Sequence, residues 1–182
     1  RSKITSKTRL IIINSPSNPT GSLIDPDELI EIAKIAEEKD IYLLSDEIYG
    51  RMVFGEPGKF FSIGLQDACK KRIIIANGFS KAFAMTGWRL GAAIGPAVII
   101  EKMMLVLQTI SSCVPPFIQE GGIEAIQGDK ADLNKMMDFY KKNRDYLVDN
   151  LNLIKGITCL KPDGAIYAFP NITGTGMSSE SF

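Results

Sequence analysis

The stretch "LIIINSPSNPTGSLIDPDELIEIAKIAEEKDIYLLSD", Leu10–Asp46, decides the fold. It opens on five residues, Leu10–Asn14, that are apolar and β-branched up to the closing asparagine. An uninterrupted run of this kind reads as a strand buried on both faces. "SPSNPTG" follows with two prolines and a glycine, so the chain must turn there. Asp25 then stands as a helix N-cap, with Pro26 at the first helical position and Glu28 three residues after the cap. From about Pro26 to Lys39, Leu29, Ile32, Ala33 and Ala36 fall on one face at helical spacing. "IYLLSD", Ile41–Asp46, is a second buried strand. Strand, crossover helix and strand make a parallel α/β unit.

Working outward, "RIIIANGFS" holds a third strand and "RLGAAIG", Arg89–Gly95, a short fourth. Helices are expected over Ala97–Thr109 and Ile118–Ile126, separated by the break "CVPPF". A longer amphipathic helix runs from about Lys130 to Leu153, with Leu133, Met136, Met137, Tyr140, Leu147, Val148 and Leu151 as its apolar stripe. "TCLKPDGAIYAF" reads as two short strands joined by a Pro-Asp-Gly turn, and the long helix before it suggests entry into a second, smaller domain. Gly174 and Gly176 form a G-x-G without the third glycine that a dinucleotide loop needs.

Composition narrows the chemistry. The chain has 182 residues, 45% hydrophobic and 23% charged, the balance of an ordinary globular protein. Twenty-one basic residues offset 21 acidic ones, which gives no support for nucleic acid or an acidic membrane as partner. No apolar run approaches the ~20 residues of a membrane span. The three cysteines, Cys69, Cys113 and Cys159, are scattered, which argues against a disulfide framework or a zinc site and for a reducing, cytoplasmic compartment. Histidine is absent, so no Ser-His-Asp or Cys-His machinery can operate from this chain. A start at Arg1 and an end at "SSESF" read as a chain cut at both ends.

Ligands of open α/β sheets bind outside the carboxyl ends of the strands. After the first strand come Asn14 and Asn18-Pro19-Thr20-Gly21. At the end of the second stand Asp46, Glu47 and Tyr49, and after the third Gly78, Ser80 and Lys81, with Arg89 eight residues beyond the lysine. Each has a plainer reading alone: a tight turn, a capped helix start, a solvated lysine. Together they suit one ligand. Lys81 lies among Phe79, Phe83 and Met85, and desolvation there favours the free amine needed for imine formation. Arg89 offers a planar fork for a phosphate, helped by backbone N–H groups near Gly78. A carboxylate at a strand end can keep a pyridine nitrogen protonated, and Asn18 and Tyr49 can hydrogen-bond a phenolic ring oxygen. The set describes a site for pyridoxal 5′-phosphate and needs no metal. Trp88 and Phe83 read as packing residues.

"NPTG" at Asn18–Gly21, "SDEIY" at Ser45–Tyr49 and "GFSKAFAMTGWRLG" at Gly78–Gly91 resemble the class I/II aminotransferases of PLP fold type I, most closely the aspartate and aromatic branch. "KPDGAIYAFPNI" resembles that family's entry into its small domain, so the likeness covers nearly the whole chain. The resemblance implies an α/β fold. Residues 1–128 would belong to the cofactor-binding large domain, 129–153 to a long connecting helix, and 154–182 to the start of the small domain. It implies Lys81 as Schiff-base lysine and proton shuttle, Asp46 on the pyridine nitrogen, and Tyr49 and Asn18 on the ring oxygen. Asn18 would also lie near the substrate carboxylate, and Arg89 would bind the phosphate beside Ser80. Some relatives carry a phosphate-binding serine three residues before the lysine; here that position is Gly78. The expected activity is transfer of an amino group from an L-amino acid, aspartate- or aromatic-type, to a 2-oxo acid, in a homodimer. The family's remaining phosphate loop, its ring-stacking aromatic and its carboxylate-clamping arginine have no match here, so the isolated chain is expected to be inactive. A β-eliminating lyase of the same fold, a cofactor-binding regulatory domain without turnover, and a plain α/β domain are the other readings.

Overall fold

The computed structural model describes residues 1–55, 59–67 and 70–182. Cys69 lies outside the described residues. The elements are strand β1 (Leu10–Asn14), helix α1 (Pro26–Lys39), strands β2 (Tyr42–Asp46), β3 (Ile73–Gly78) and β4 (Gly91–Ile94), and helices α2 (Ala97–Ser111), α3 (Pro116–Gln127) and α4 (Ala131–Leu151). The sheet order is β1-β2-β3-β4. The first three strands are parallel, and β4 returns antiparallel to β3. The expected α/β architecture, a mostly parallel sheet with flanking helices, is what forms.

Helix α1 begins and ends where its sequence says. Asp25 caps it by accepting from the Asp27 N–H at 2.8 Å. At the other end Asp40 takes a left-handed conformation (φ 57°), and its N–H bonds the carbonyls of Ala36 and Glu37. The Asp40 carboxylate pairs with Arg72, tying the helix end to the start of β3. The buried face of α1 (Leu29, Ala33, Ala36) meets Ile13, Leu43, Ile63 and Ile73 in the main core. At roughly 25 cal/mol per Å² of apolar surface, a contact of this kind contributes several kcal/mol.

That core covers one face of the sheet only, which corrects the expectation of strands buried on both sides. Residues paired across the ladder share a face, so Leu10, Ile12 and Asn14 lie with Tyr42, Leu44 and Asp46. On this second face Leu10 is 42% and Ile12 66% exposed, because α1 packs on the opposite side and no described element covers this one. Helices α2 and α3 both form, each longer than the sequence pattern suggested, and α2 has no buried residue.

The stripe of α4 packs along its first half. Leu133, Met136, Met137 and Tyr140 lie against a second core of Tyr49, Met52, Ala82 and Ala165. Farther along, Val148 is buried but Leu147 is 46% exposed. Arg144 turns inward in its place: its guanidinium sits 4.3 Å from the Phe54 ring centroid and donates to the Pro162 carbonyl at 3.2 Å. Among the described residues no helix is long and apolar enough to cross a membrane.

The hairpin expected in Thr158–Phe169 does not form. Thr158 instead pairs with Asn171, and Gly164 pairs antiparallel with Val53. The Asp163 and Gly164 N–H groups both donate to the Gly21 carbonyl at 2.9 Å, and Ala165 N–H to Met52 O at 2.8 Å. The Pro-Asp-Gly turn thus spends its donors on distant loops rather than on its own flanking residues. Thr173–Thr175 makes a 3-10 turn, so the G-x-G spacing serves a bend.

Candidate active site

The register of the sheet brings three strand ends together. Asn14 lies opposite Asp46, and Asp46 opposite Ala76, two residues short of the end of β3. The Asn14 amide ties the neighbouring loop in place: its Nδ2 donates to Asp46 O at 3.3 Å and its Oδ1 accepts from Asn18 N–H at 2.7 Å. Asn18 itself is exposed. Gly21 closes this loop at φ +68°, where an added Cβ would stand 2.5 Å from Pro162 Cβ.

Alternation along β2 separates two adjacent carboxylates. Ser45 and Glu47 follow Leu43 to the α1 side, while Asp46 faces the open side. Glu47 is buried, and its Oε1 accepts from Ser45 Oγ at 3.1 Å and Ser62 Oγ at 2.8 Å. Burial pushes its carboxyl up from the usual range, partly offset by the two serine hydroxyls. Asp46 is half-buried, and its Oδ1 accepts from Ile48 N–H at 3.2 Å. No cation pairs with it among the described residues.

Tyr49 is buried and hydrogen-bonds Tyr167, hydroxyl to hydroxyl, with the ring centroids 5.6 Å apart in an edge-on arrangement. Burial first, then this bond and the nearby Asp46 charge, raise the Tyr49 phenol well above its ordinary range, so it stays protonated. Lys81 follows β3 on a loop pinned by Phe79 N–H to Leu90 O at 3.2 Å. Of the three apolar neighbours the sequence named, Phe79 and Met85 are buried and Phe83 is half-buried; Ala82 is buried as well, and Lys81 itself is half-buried. Lys81 Nζ lies 5.8 Å from the Tyr49 ring centroid. It has no ion pair among the described residues. Ser80 beside it is half-buried.

Arg89 is exposed in a left-handed conformation (φ 53°), and its Nη1 donates to Thr86 O at 3.0 Å. A Cβ at Gly78 would stand 2.7 Å from Ile48 Cδ1, the far end of a side chain that would have to shift. Trp88 is 43% exposed, and its ring edge lies over Gly121 of α3. Phe83 packs on Phe79, centroids 5.4 Å apart.

The structure therefore sets Lys81 over the Tyr49 ring, places Asp46 at the end of the strand paired with β3, and leaves Asn18 and Arg89 exposed on loops. No hydrogen bond among the described residues joins Asn18, Asp46, Ser80, Lys81 and Arg89 to one another. Their reactive atoms are thus available to a ligand. An unpaired amine, an unpaired half-buried carboxylate and a guanidinium with spare N–H groups match an aldehyde, a protonated ring nitrogen and a phosphate. The donor set fits pyridoxal 5′-phosphate. Sequence reasoning missed Tyr167, which lies 118 residues from its partner. It also left the buried role of Glu47 unassigned, although the period-2 pattern of "LLSDE" carried that signal.

The sequence profile of the family described as "Aminotransferase class I and II" matches residues 1–181. The aspartate aminotransferase of Musicola paradisiaca is 40% identical over 183 residues, covering 96% of this chain and 43% of the relative. The aromatic-amino-acid aminotransferase 2 of Thermococcus litoralis is 40% identical over 181 residues, covering 98% and 46%. The crystal structure of an aromatic aminotransferase from Pyrococcus horikoshii OT3 superposes with a TM-score of 0.93 at 38% identity, covering 98% of this chain and 48% of that one. The chain spans a little under half the length of the relatives it matches.

Proposed function

This chain belongs to the aminotransferase class I and II family, and we propose that the protein moves an amino group from an L-amino acid of aspartate or aromatic type to a 2-oxo acid, as a homodimer. Its relatives include proteins named for each donor class. The observation that carries the reading is Lys81: a half-buried amine free of any carboxylate partner among the described residues, 5.8 Å from the Tyr49 ring centroid, at the sheet edge that also bears Asp46.

When bound, pyridoxal 5′-phosphate supplies a carbonyl that exchanges amines and a ring that accepts the electron pair left at the substrate Cα. Lys81 Nζ, which has no carboxylate partner among the described residues, would anchor the cofactor and then take and return the Cα proton. The Asp46 carboxylate holds a proton on the ring nitrogen, and its half-buried position strengthens that charge pairing. Tyr49, neutral and buried, donates a hydrogen bond to the ring oxygen. Asn18, on the exposed loop held by Asn14, orients the ring oxygen and the substrate carboxylate. Arg89 presents its free N–H groups to the phosphate, with Ser80 alongside.

The test is capture. The protein is incubated with limiting pyridoxal 5′-phosphate, reduced with borohydride and mapped by peptide mass spectrometry. Label concentrated at Lys81, and lost in Lys81→Ala, is the expected result. Label spread over the surface lysines sinks the claim that this chain itself forms the site. Amino transfer to 2-oxoglutarate from L-aspartate and from L-phenylalanine, measured on the full-length protein that carries this chain, then assigns the donor class, and Lys81→Ala is expected to reduce it by at least about a thousandfold.

A further inference from the structure

We propose that Tyr167 is a positioning residue for this site: its hydroxyl takes one hydrogen-bonding direction of the Tyr49 hydroxyl and so fixes where Tyr49 aims its proton. The proposal rests on the reading of Lys81 and Tyr49 given above.

The argument begins with a proton count. A phenol carries one proton and can also accept. Tyr49 is 2% exposed, and the Tyr167 hydroxyl is its hydrogen-bonding partner in the structure. A ring oxygen on a ligand held at Lys81 only accepts. The Tyr49 proton must then go to the ligand, which leaves Tyr167 to donate to Tyr49. In that chain Tyr167→Tyr49→ligand each bond polarises the next, so the donation to the ligand is stronger than Tyr49 alone would give. The edge-on packing of the two rings holds this geometry.

The rest of the fold delivers Tyr167 to that position. Phe54 N–H donates to Asp163 O at 2.8 Å, Ala165 N–H to Met52 O at 2.8 Å, and Gly164 N–H to Gly21 O at 2.9 Å. The 163–165 segment is thereby clamped between the loop that carries Asn18 and the turn that carries Tyr49. Ala165, fully buried, takes a left-handed conformation (φ 59°), after which Ile166 turns outward (41% exposed) and Tyr167 packs on the second core. A segment far along the chain therefore completes the hydrogen bonding of a site built at the strand ends.

The experiment follows the absorption band of the cofactor bound to the intact protein as pH is varied, in wild type, Tyr167→Phe, Tyr49→Phe and the double variant. Losing a donor leaves the ring oxygen more negative, so the lysine-linked nitrogen keeps its proton to higher pH and the midpoint rises. Tyr49→Phe is expected to raise it by about one pH unit, the size one hydrogen bond carries. Tyr167→Phe should raise it by less, and the double variant should match Tyr49→Phe. A second measurement places 3-fluorotyrosine at position 167. A more acidic phenol donates more strongly and should lower the midpoint even if Tyr167→Phe folds poorly. An unmoved midpoint in both Tyr167 replacements, or a Tyr167→Phe shift that adds in full to that of Tyr49→Phe, overturns the proposal. Wild-type protein that captures no cofactor at Lys81 overturns both this proposal and the functional reading beneath it.

Discussion

Glu47 and Asp46 are neighbours in sequence, yet the fold gives them opposite duties. Alternation on β2 turns Asp46 to the open face and Glu47 into the core beside Ser45 and Ser62. Because burial raises the Glu47 carboxyl above its unfolded value, its contribution to stability is complete at low pH. That contribution is lost as pH rises through and above the ordinary carboxylate range, about 4.3. Glu47→Gln stays neutral throughout. Its melting temperature relative to wild type should therefore climb as pH rises above about 4.3, and a flat difference there would show that burial does not raise the Glu47 carboxyl. Glu47→Ala, which strands two serine hydroxyls, should cost about 1–3 kcal/mol in denaturant unfolding. The apolar surroundings of Lys81 could be read from "GFSKAFAM", because nearest neighbours in a loop that short cannot escape one another. The Tyr49–Tyr167 pair could not, since nothing local marks either hydroxyl for the other.

Among the elements, α1 matched its sequence pattern closely, since an aspartate cap, a proline at the first turn and a continuous apolar face all point the same way. The 158–169 stretch failed for the opposite reason. Pro-Asp-Gly is a good turn, but a turn does not choose its partners, and here the donors go to Gly21 and Met52. Gly21 is the hinge of that arrangement. A Gly21→Ala change meets both a left-handed backbone and Pro162 Cβ at 2.5 Å. It should destabilise the protein by about 2–4 kcal/mol in denaturant unfolding. It should also weaken cofactor capture at Lys81, because the Asn18 loop and the Tyr167 segment are both fastened there. A melting temperature equal to wild type would contradict that reading.

At the scale of the whole molecule the imbalance is between the two sheet faces. One carries α1 and a close-packed core; the other leaves Leu10 and Ile12 open, and α2 presents Met104 (54%), Leu105 (56%), Val106 (56%) and Ile110 (74%) to its surroundings. These side chains leave apolar surface that a contacting molecule would bury. The chain should associate with itself in sedimentation, with an affinity that does not fall as salt is raised, and Leu105→Lys with Ile110→Lys should weaken that association at least tenfold; a monomer at all concentrations would refute it. The same imbalance divides what was legible from what was not. The sequence by itself determined the α/β pattern, the extent of α1 and the residues gathered at the strand ends, because periodicity, caps and turn residues act over a few neighbours. Only the tertiary structure decided which sheet face is covered, that Leu147 gives way to Arg144, and that Tyr167 meets Tyr49. Those outcomes depend on pairings between residues tens to more than a hundred positions apart, and local physical chemistry places no constraint on them.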